Sequence, residues 1–251
     1  MKSFLTQFRL ALSFITILPA GSFSERIADE VLGRAQAWFP LVGLLLGLLL
    51  LAALCVGRLL FPPGVCAALV LLFHFLLTGG FHLEGLADTT DGLMCGRRET
   101  DKVFAIMKDS YLGSMGAVAL ILLLLLKFSV LSTLVFKHPL IVAVFPVLGR
   151  YAIVQLTYSS VYARPEGGLG ALFTENCGSR ELGLALLTGL VVGVAGAGVA
   201  GFVALCVVAF YAFLVAAYAR SRFGGVTGDI LGFVCESGEA LALLVLVAML
   251  R

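Results

Sequence analysis

The sequence predicts an all-α fold, a polytopic bundle of membrane-spanning helices. Of its 251 residues, 61% are hydrophobic and only 13% are charged, about half the charged fraction of an ordinary soluble domain. Several apolar runs approach the roughly 20 residues that cross the hydrocarbon core of a bilayer. These observations exclude a soluble globular protein, and we expect residues 1–251 to form a single integral membrane catalytic domain.

About seven apolar runs are candidates for spans. Glycines in the segment 196–201 (GAGVAG) interrupt one long apolar stretch, which predicts two short spans rather than one overlong helix. At the N-terminus, Arg9 interrupts a short apolar stretch and Pro19 ends it, which favours an uncleaved helix that is interfacial or partly inserted. The predicted spans are 38–57, 65–81, 116–136, 139–159, 182–198, 201–219 and 237–250, the last of which is short enough to begin nearer Ile230.

Charged residues predict an orientation and a working face. With the N-terminus in the cytoplasm, twelve Lys and Arg residues fall in cytoplasmic segments and three in outer ones, as the positive-inside rule requires. All fifteen Asp and Glu residues lie in or next to the cytoplasmic segments, although acids contribute little to topology. Only Lys127 and Arg150 fall deep within spans. This asymmetry indicates that the catalytic loops lie on the cytoplasmic side.

The long polar segment between the second and third spans carries three acids with helical spacing. Glu84, Asp88 and Asp91 are at positions i, i+4 and i+7, so a helix would place their carboxylates on one face. Such an anionic cluster suits Mg²⁺, which prefers hard oxygen ligands. The alternative is a solvated acidic helix end. The nearby glycines and the flanking apolar spans favour the metal site.

Other polar residues near these acids have several possible roles. Asp109 could be a further ligand or an N-cap-like acid before the third span. His82 could be a base, a ligand or a hydrogen-bonded structural histidine. Arg97 and Arg98 could clamp phosphate or only determine topology.

The last polar loop adds a second group of candidates. Gly225 precedes a TGD turn that contains Asp229, the strongest candidate of this loop, since an acid at the start of an apolar helix usually faces a polar cavity. Glu236 and Glu239 follow at i and i+3 spacing. Those two glutamates could cap the start of the helix or pair with the arginines of the same loop.

Ordered sequence blocks are distributed over most of the chain, from residue 9 to residue 232. They are RLALSFITILP (9–19), FPLVGLLLG (39–47), TGGFHLEGLADTTDG (78–92), MKDSYLGSMG (107–116), YARPEGGLG (162–170) and GGVTGDILG (224–232). On these blocks the chain resembles the cobalamin synthase family, the adenosylcobinamide-GDP ribazoletransferases of late coenzyme B12 synthesis. One departure is Glu84, where the family usually carries aspartate.

The resemblance implies a Mg²⁺-dependent transfer in the bacterial or archaeal cytoplasmic (inner) membrane. Adenosylcobinamide-GDP would be joined to α-ribazole or its 5′-phosphate, giving adenosylcobalamin or its phosphate and GMP, as the ribazole hydroxyl attacks the cobinamide phosphate. The expected metal ligands are Glu84, Asp88, Asp91, Asp109 and Asp229. Catalysis is expected to use Asp88, Asp91, His82 and Asp229. The expected substrate contacts are Arg97, Arg98, Lys108, Arg164, Arg220, Gly225 and Glu236.

Two other functions remain open from the sequence. A CDP-alcohol-type phosphotransferase of phospholipid synthesis would share the chemical logic, although DTTDG is not followed by that family's full signature. A cation transporter would place its ionisable groups near the bilayer midplane, whereas the acids here are predicted at one interface. We expect no nucleic acid partner. The oligomeric state stays open, including a homo-oligomer or an association with other late B12-pathway enzymes.

Overall fold

The computed structural model describes residues 4–23, 27–96 and 99–251, and every regular element within these ranges is a helix. The all-α prediction is therefore confirmed. A short 3₁₀ turn at Ala35–Trp38 joins the second and third α-helices. The α-helices are α1 (Phe4–Ile15), α2 (Asp29–Arg34), α3 (Phe39–Gly57), α4 (Pro63–Thr78), α5 (Phe81–Met94), α6 (Thr100–Met107), α7 (Ser114–Leu134), α8 (Ile141–Tyr158), α9 (Leu169–Glu175), α10 (Ser179–Phe223) and α11 (Gly228–Leu250).

Helix α8 is the centre of the bundle. Nearly all its residues are buried, and it packs against α3, α10 and α11. Helix α3 approaches it through glycines: a Cβ on Gly43 would lie 2.7 Å from the carbonyl oxygen of Pro146, and one on Gly47 would lie 2.5 Å from the Cα of Ala143. Small residues at helix contacts are typical of membrane bundles, where close packing replaces the hydrophobic driving force.

Helix α10 is two helices separated by a sharp break. A continuous helix of its 45 residues would be about 68 Å long, more than twice the hydrocarbon thickness of a bilayer. Gly198 has non-helical dihedral angles (φ 57°, ψ −133°). The chain folds back there, since a Cβ on Gly193 would lie 3.1 Å from the carbonyl oxygen of Gly201. The predicted break within 196–201 is confirmed.

Two consecutive glycines bend the chain sharply between α4 and α5. Gly79 and Gly80 both have left-handed dihedral angles, with φ of 67° and 76°, a conformation that glycine adopts without steric cost. The two helices consequently differ in direction by 92°. This bend turns α5 away from the direction of α4, and α5 with its 14 residues, about 21 Å of helix, is too short to cross a bilayer alone.

Helix α11 begins earlier than the predicted span at 237–250. It starts at Gly228, where the Thr227 hydroxyl accepts a hydrogen bond from the Ile230 amide at 3.4 Å, the N-cap arrangement that threonine favours. Glu236 and Glu239 therefore lie inside the helix, and both side chains are buried. The expectation that the acids stay at one interface is wrong for these two residues.

The number of spans follows only partly from the helices. By length and composition, five helices of the described chain could cross a membrane, or six if α4 and α5 form one broken span. Counting the two halves of α10 separately would add one more, so seven spans remain a prediction. Helix α1 has only 12 residues, about 18 Å of helix, which is too short to cross a bilayer.

Candidate functional site

The acidic segment forms helix α5, as its spacing predicts. Glu84, Asp88 and Asp91 occupy its more accessible side. His82 and Thr89, which are seven residues apart, share the opposite side, where both are buried at 7% and 2% exposure. The two sides of α5 therefore differ in chemistry, with acids on one and packing on the other.

Asp88 and Asp229 come together because α5 crosses the start of α11 at very close range. A Cβ on Gly85 would lie 2.7 Å from the carbonyl oxygen of Asp229, and one on Gly232 would lie 3.1 Å from the Cα of Gly85. Only glycines at this crossing allow the two backbones to approach so closely. Asp88 and Asp229, which are 141 positions apart in the chain, thereby become neighbours at one end of the bundle.

The pKa of Asp88 reflects the several carboxylates that lie near it. The pKa of Asp88 is raised to about 6, first by partial burial and then by the charges of Asp229, Glu84 and Asp91, against the lowering effect of Arg164. A carboxyl whose pKa is raised by several like charges marks a place where negative charge is not fully compensated. We call Glu84, Asp88, Asp229 and Arg164 the acidic rim.

Arg164 reaches the acidic rim from the loop between α8 and α9. Its Nη2 donates to Oδ2 of Asp229 at 2.6 Å, and its guanidinium lies 5.4 Å from the centre of the Phe104 ring. Backbone hydrogen bonds anchor the loop: the Ala163 amide donates to the Val226 carbonyl at 2.9 Å. The Nε of Arg164 is buried and has no partner among the described residues, so it can still donate to an anion.

Gly225 serves this anchoring. A Cβ there would overlap the carbonyl oxygen of Val161, and the Val226 amide donates to that same oxygen at 2.9 Å. The glycine is therefore explained by the close approach of two loops. Its predicted contact with substrate stays a prediction.

Asp91 has a different environment from Asp88, although both were predicted as metal ligands. Its Oδ2 accepts from the Gly113 amide at 2.9 Å and its Oδ1 from the Gly116 amide at 2.8 Å. These amides belong to the start of α7, where a helix has unpaired N–H groups. A Cβ on either glycine would overlap the carboxylate. Asp91 thus clamps α5 to α7 with both oxygens.

Asp109 lies beside that clamp rather than on the acidic rim. Its Oδ1 accepts from the Tyr111 amide at 3.1 Å, which is the hydrogen bond of an Asx turn. Asp91 and Asp109 both line a cavity of about 420 Å³ in front of α7. The two alternatives for Asp109 thus become a turn-forming acid before α7 and a ligand facing a separate cavity.

The other basic candidates lie at different distances from the site. Lys108 forms an ion pair with Glu166, and this hydrogen bond lowers the pKa of Glu166. Arg220 is exposed and donates to the Ser159 carbonyl at 3.3 Å. Arg97 and Arg98 lie outside the described residues.

A second charged group is buried inside the bundle. Lys127 donates to Glu236 at 2.5 Å and to Glu239 at 2.6 Å, and Arg150 forms an ion pair with Glu239. His74 of α4 contacts Arg150 of α8, with 3.2 Å between its Nε2 and Nη1 of the arginine. We call these five residues the buried ionic cluster.

The buried ionic cluster corrects the predicted pairing of Glu236. Glu236 pairs with Lys127 of α7 rather than with the arginines of its own loop, so its predicted contact with substrate must compete with a buried ion pair. Two cations and two carboxylates balance, which is what makes such burial tolerable. The sequence did contain a signal, because Lys127 and Arg150 within apolar spans each require an acidic partner.

The acidic rim has the donors that Mg²⁺ prefers. Nowhere in 4–23, 27–96 or 99–251 do three Asp, Glu, His or Cys side chains converge as a ready-made metal site. Mg²⁺, however, usually binds through one or two carboxylates and completes its shell with waters and substrate phosphates. Asp88 and Asp229 are such a pair. The charges of Asp229, Glu84 and Asp91, which after burial help to raise the pKa of Asp88, are charges that a cation would neutralise.

Comparisons with known proteins identify the family of this chain. The family model described as cobalamin-5-phosphate synthase matches residues 7–247. A Geotalea daltonii protein named adenosylcobinamide-GDP ribazoletransferase is 39% identical over 240 residues, 96% of each chain. Proteins of the same name from Pseudomonas aeruginosa (39% over 254 residues, 98% of this chain and 99% of theirs) and Acetivibrio thermocellus (32% over 242 residues, 96% and 97%) are also similar. No solved structure matches. This chain belongs to the cobalamin-5-phosphate synthase family.

Proposed function

We propose that this protein is an adenosylcobinamide-GDP ribazoletransferase that works at its acidic rim. The observation that carries the proposal is the convergence of Asp88 and Asp229, from two of the sequence blocks, next to Arg164 from a third. The names of the relatives supply the substrates: adenosylcobinamide-GDP as donor and a ribazole or its 5′-phosphate as acceptor. A transfer between phosphate esters needs charge stabilisation and positioning more than a protein nucleophile.

Asp88 and Asp229 would hold Mg²⁺, with Glu84 at the exposed edge of the same group. Mg²⁺, when bound there, supplies positive charge to the diphosphate of the donor. Arg164 can add to this charge, because its unpaired Nε is free to donate to a phosphate oxygen while Nη2 keeps Asp229 in place. The predicted Mg²⁺ dependence is thus supported by charge and by donor type.

Asp88 would also take part in the proton transfer. A carboxylate has two oxygens, so Asp88 can share in binding a cation and still accept a hydrogen bond from the attacking hydroxyl of the ribazole. A pKa raised to about 6 suits a proton acceptor better than the ordinary aspartate value. The hydroxyl oxygen then bonds to the phosphorus next to cobinamide, and the bond to GMP breaks. His82 is less suited, because it lies on the buried side of α5.

The alternatives are less well supported. The buried ionic cluster places five ionisable residues inside the bundle, which a cation transporter would also do. Its carboxylates, however, are already paired with Lys127 and Arg150. The family match favours the transferase over both the transporter and the phospholipid phosphotransferase. The basic loops support a cytoplasmic active face in the cytoplasmic membrane.

The proposal can be tested with purified protein in lipid nanodiscs. With adenosylcobinamide-GDP and α-ribazole, we expect GMP release that requires Mg²⁺ and stops with EDTA. Asp88→Asn should lower turnover by a factor on the order of 10²–10⁴, as expected when a proton acceptor is lost. Asp101→Asn, an exposed acid on α6, is the matched control and should keep full turnover. Monodisperse wild-type protein that releases no GMP from these substrates would refute the assignment.

A further inference from the structure

A second cavity lies on the opposite side of α5 from the acids. It has a volume of about 300 Å³, at the lower end of the roughly 300–1,000 Å³ of small-molecule sites. Helices α5, α10 and α11 form its walls, and four aromatic side chains line it: Tyr211, Tyr218, Phe223 and Phe233. Aromatic walls of this kind favour a flat ring, which can stack on them or meet their edges.

One buried hydroxyl in this cavity has no partner. Thr89 is 2% exposed, and its Oγ1 makes no hydrogen bond to any described residue. The next residue shows what a helical threonine usually does, since Thr90 donates to the Leu86 carbonyl at 2.7 Å. A buried hydroxyl without a partner is costly, so Thr89 is available to a ligand that brings an acceptor.

Two wall residues of the cavity are chain neighbours of the rim carboxylates. Thr89 follows Asp88 directly, and Ile230, another wall residue, follows Asp229. Successive residues of a helix point about 100° apart, so the cavity and the carboxylates lie on different sides of α5. A ring held at Thr89 would therefore need an attached group that extends around α5 to bring a hydroxyl to the carboxylates, and the sugar of an acceptor nucleoside is such a group.

We propose that this cavity binds the heteroaromatic base of the acceptor, with the Thr89 hydroxyl donating to its ring nitrogen; this rests on the proposed transferase function. The lining is apolar apart from hydroxyls, and that of Tyr211 already donates to Ser237 at 2.7 Å. A guanine would leave several donors and acceptors unpaired there. A benzimidazole presents an apolar fused ring and a single acceptor nitrogen once its other nitrogen carries the sugar.

A binding experiment tests this without any turnover. We would titrate protein in nanodiscs with α-ribazole in the absence of donor, by isothermal calorimetry. Val215→Phe, which fills the cavity from α10, should weaken binding at least tenfold. Ala68→Phe also introduces a phenylalanine, with a larger added volume, in the crevice between α4 and α7, and should leave binding unchanged. Equal binding by wild type and Val215→Phe, or a cavity filled by phospholipid that α-ribazole cannot displace, would overturn the proposal.

A kinetic experiment tests the hydrogen bond. Thr89→Val keeps the shape and removes the hydroxyl, so the KM for α-ribazole should rise about three- to tenfold, the range of one neutral hydrogen bond. The KM for adenosylcobinamide-GDP should not change. Thr90→Val is the matched control and should alter neither constant. An unchanged KM for α-ribazole in Thr89→Val, with GMP still released, would refute the role of Thr89 while leaving the transferase assignment intact.

Discussion

The acidic rim and the buried ionic cluster are made of the same residue types and differ in charge balance and in access. In the cluster, Lys127 and Arg150 match Glu236 and Glu239, and all four are at most 3% exposed. In the rim, Arg164 is the one cation among the described residues that faces several carboxylates, and Asp88 is only partly buried. A balanced, enclosed group stabilises the fold, whereas an unbalanced, accessible group is prepared to bind a cation.

This difference in charge balance and access indicates which acids to propose as catalytic or metal-binding residues. Proximity in the sequence is no guide to function. Asp91 lies three residues from Asp88, and yet both of its oxygens accept hydrogen bonds from the start of α7. Asp91 therefore resembles both groups: it lies beside the acidic rim, but its hydrogen bonds to α7 are structural. Three experiments can break or sharpen this distinction.

The largest effect on stability is expected from Glu239→Gln in the buried ionic cluster. The change removes the carboxylate that pairs with both Lys127 and Arg150. Removing one partner of a buried ion pair typically costs about 3–5 kcal/mol, because the other charge stays buried. We expect a much lower Tm in detergent but normal turnover per folded molecule. Glu99→Gln, in an exposed pair with Lys102, should leave the Tm nearly unchanged.

A Glu239→Gln variant that kept its Tm and lost its turnover would contradict the distinction between a structural buried ionic cluster and a functional acidic rim. That result would move the buried ionic cluster into the catalytic machinery. It would also strengthen the transporter alternative, since functional ionisable groups inside a membrane bundle are typical of ion pathways.

A smaller effect is expected from Asp91→Asn. An amide side chain can accept only through its oxygen, so one of the Gly113 and Gly116 amides loses its acceptor. The free energy of unfolding should fall by about 1–2 kcal/mol, as for other lost helix caps. The Mg²⁺ concentration that gives half-maximal GMP release should stay within twofold of wild type. Asp109→Asn, whose amide oxygen can still accept the turn hydrogen bond from the Tyr111 amide, is the control.

If Asp91 were a metal ligand instead, the result would be reversed. Stability would change little, and the Mg²⁺ requirement would rise tenfold or more. The two measurements together therefore separate a clamp from a ligand at a position where the sequence alone predicts a ligand.

Much of the fold could be predicted because most helices and breaks depend on local sequence patterns. Apolar runs identified most of the long helices, the glycines at 196–201 marked the break at Gly198, and the spacing of the α5 acids predicted their helix. The start of α11 was predicted at residue 237, because two glutamates made its first turns look like a loop, and the alternative start near Ile230 is close to the observed start at Gly228. The basic partners of these glutamates lie on α7 and α8, more than 85 residues away in the chain.

The candidate site was predictable in its residues and not in their division of labour. Spacing places Glu84, Asp88 and Asp91 on one helix face, and no local pattern distinguishes them. What separates Asp88 from Asp91 is tertiary: the crossing at Gly85 and Gly232 brings α11 to the first, and the start of α7 is brought to the second. Such contacts depend on the packing of helices that are distant in sequence.

The smallest effect concerns the pH dependence of the acidic rim. Because the pKa of Asp88 is raised to about 6, a proton should compete with Mg²⁺ below that pH, since a metal ligand must be deprotonated. The Mg²⁺ concentration for half-maximal GMP release should then rise as pH falls below about 6. Above that pH it should be constant.

Two substitutions should move this break in opposite directions. Glu84→Gln removes a negative charge that raises the pKa of Asp88, so the break should shift to lower pH. Arg164→Gln removes a positive charge that lowers that pKa, so the break should shift to higher pH. Glu166→Gln, whose partner is Lys108, should leave it in place. Shifts of the same sign in the first two variants would show that the titrating group is not Asp88, because only a group between these two charges responds to them oppositely.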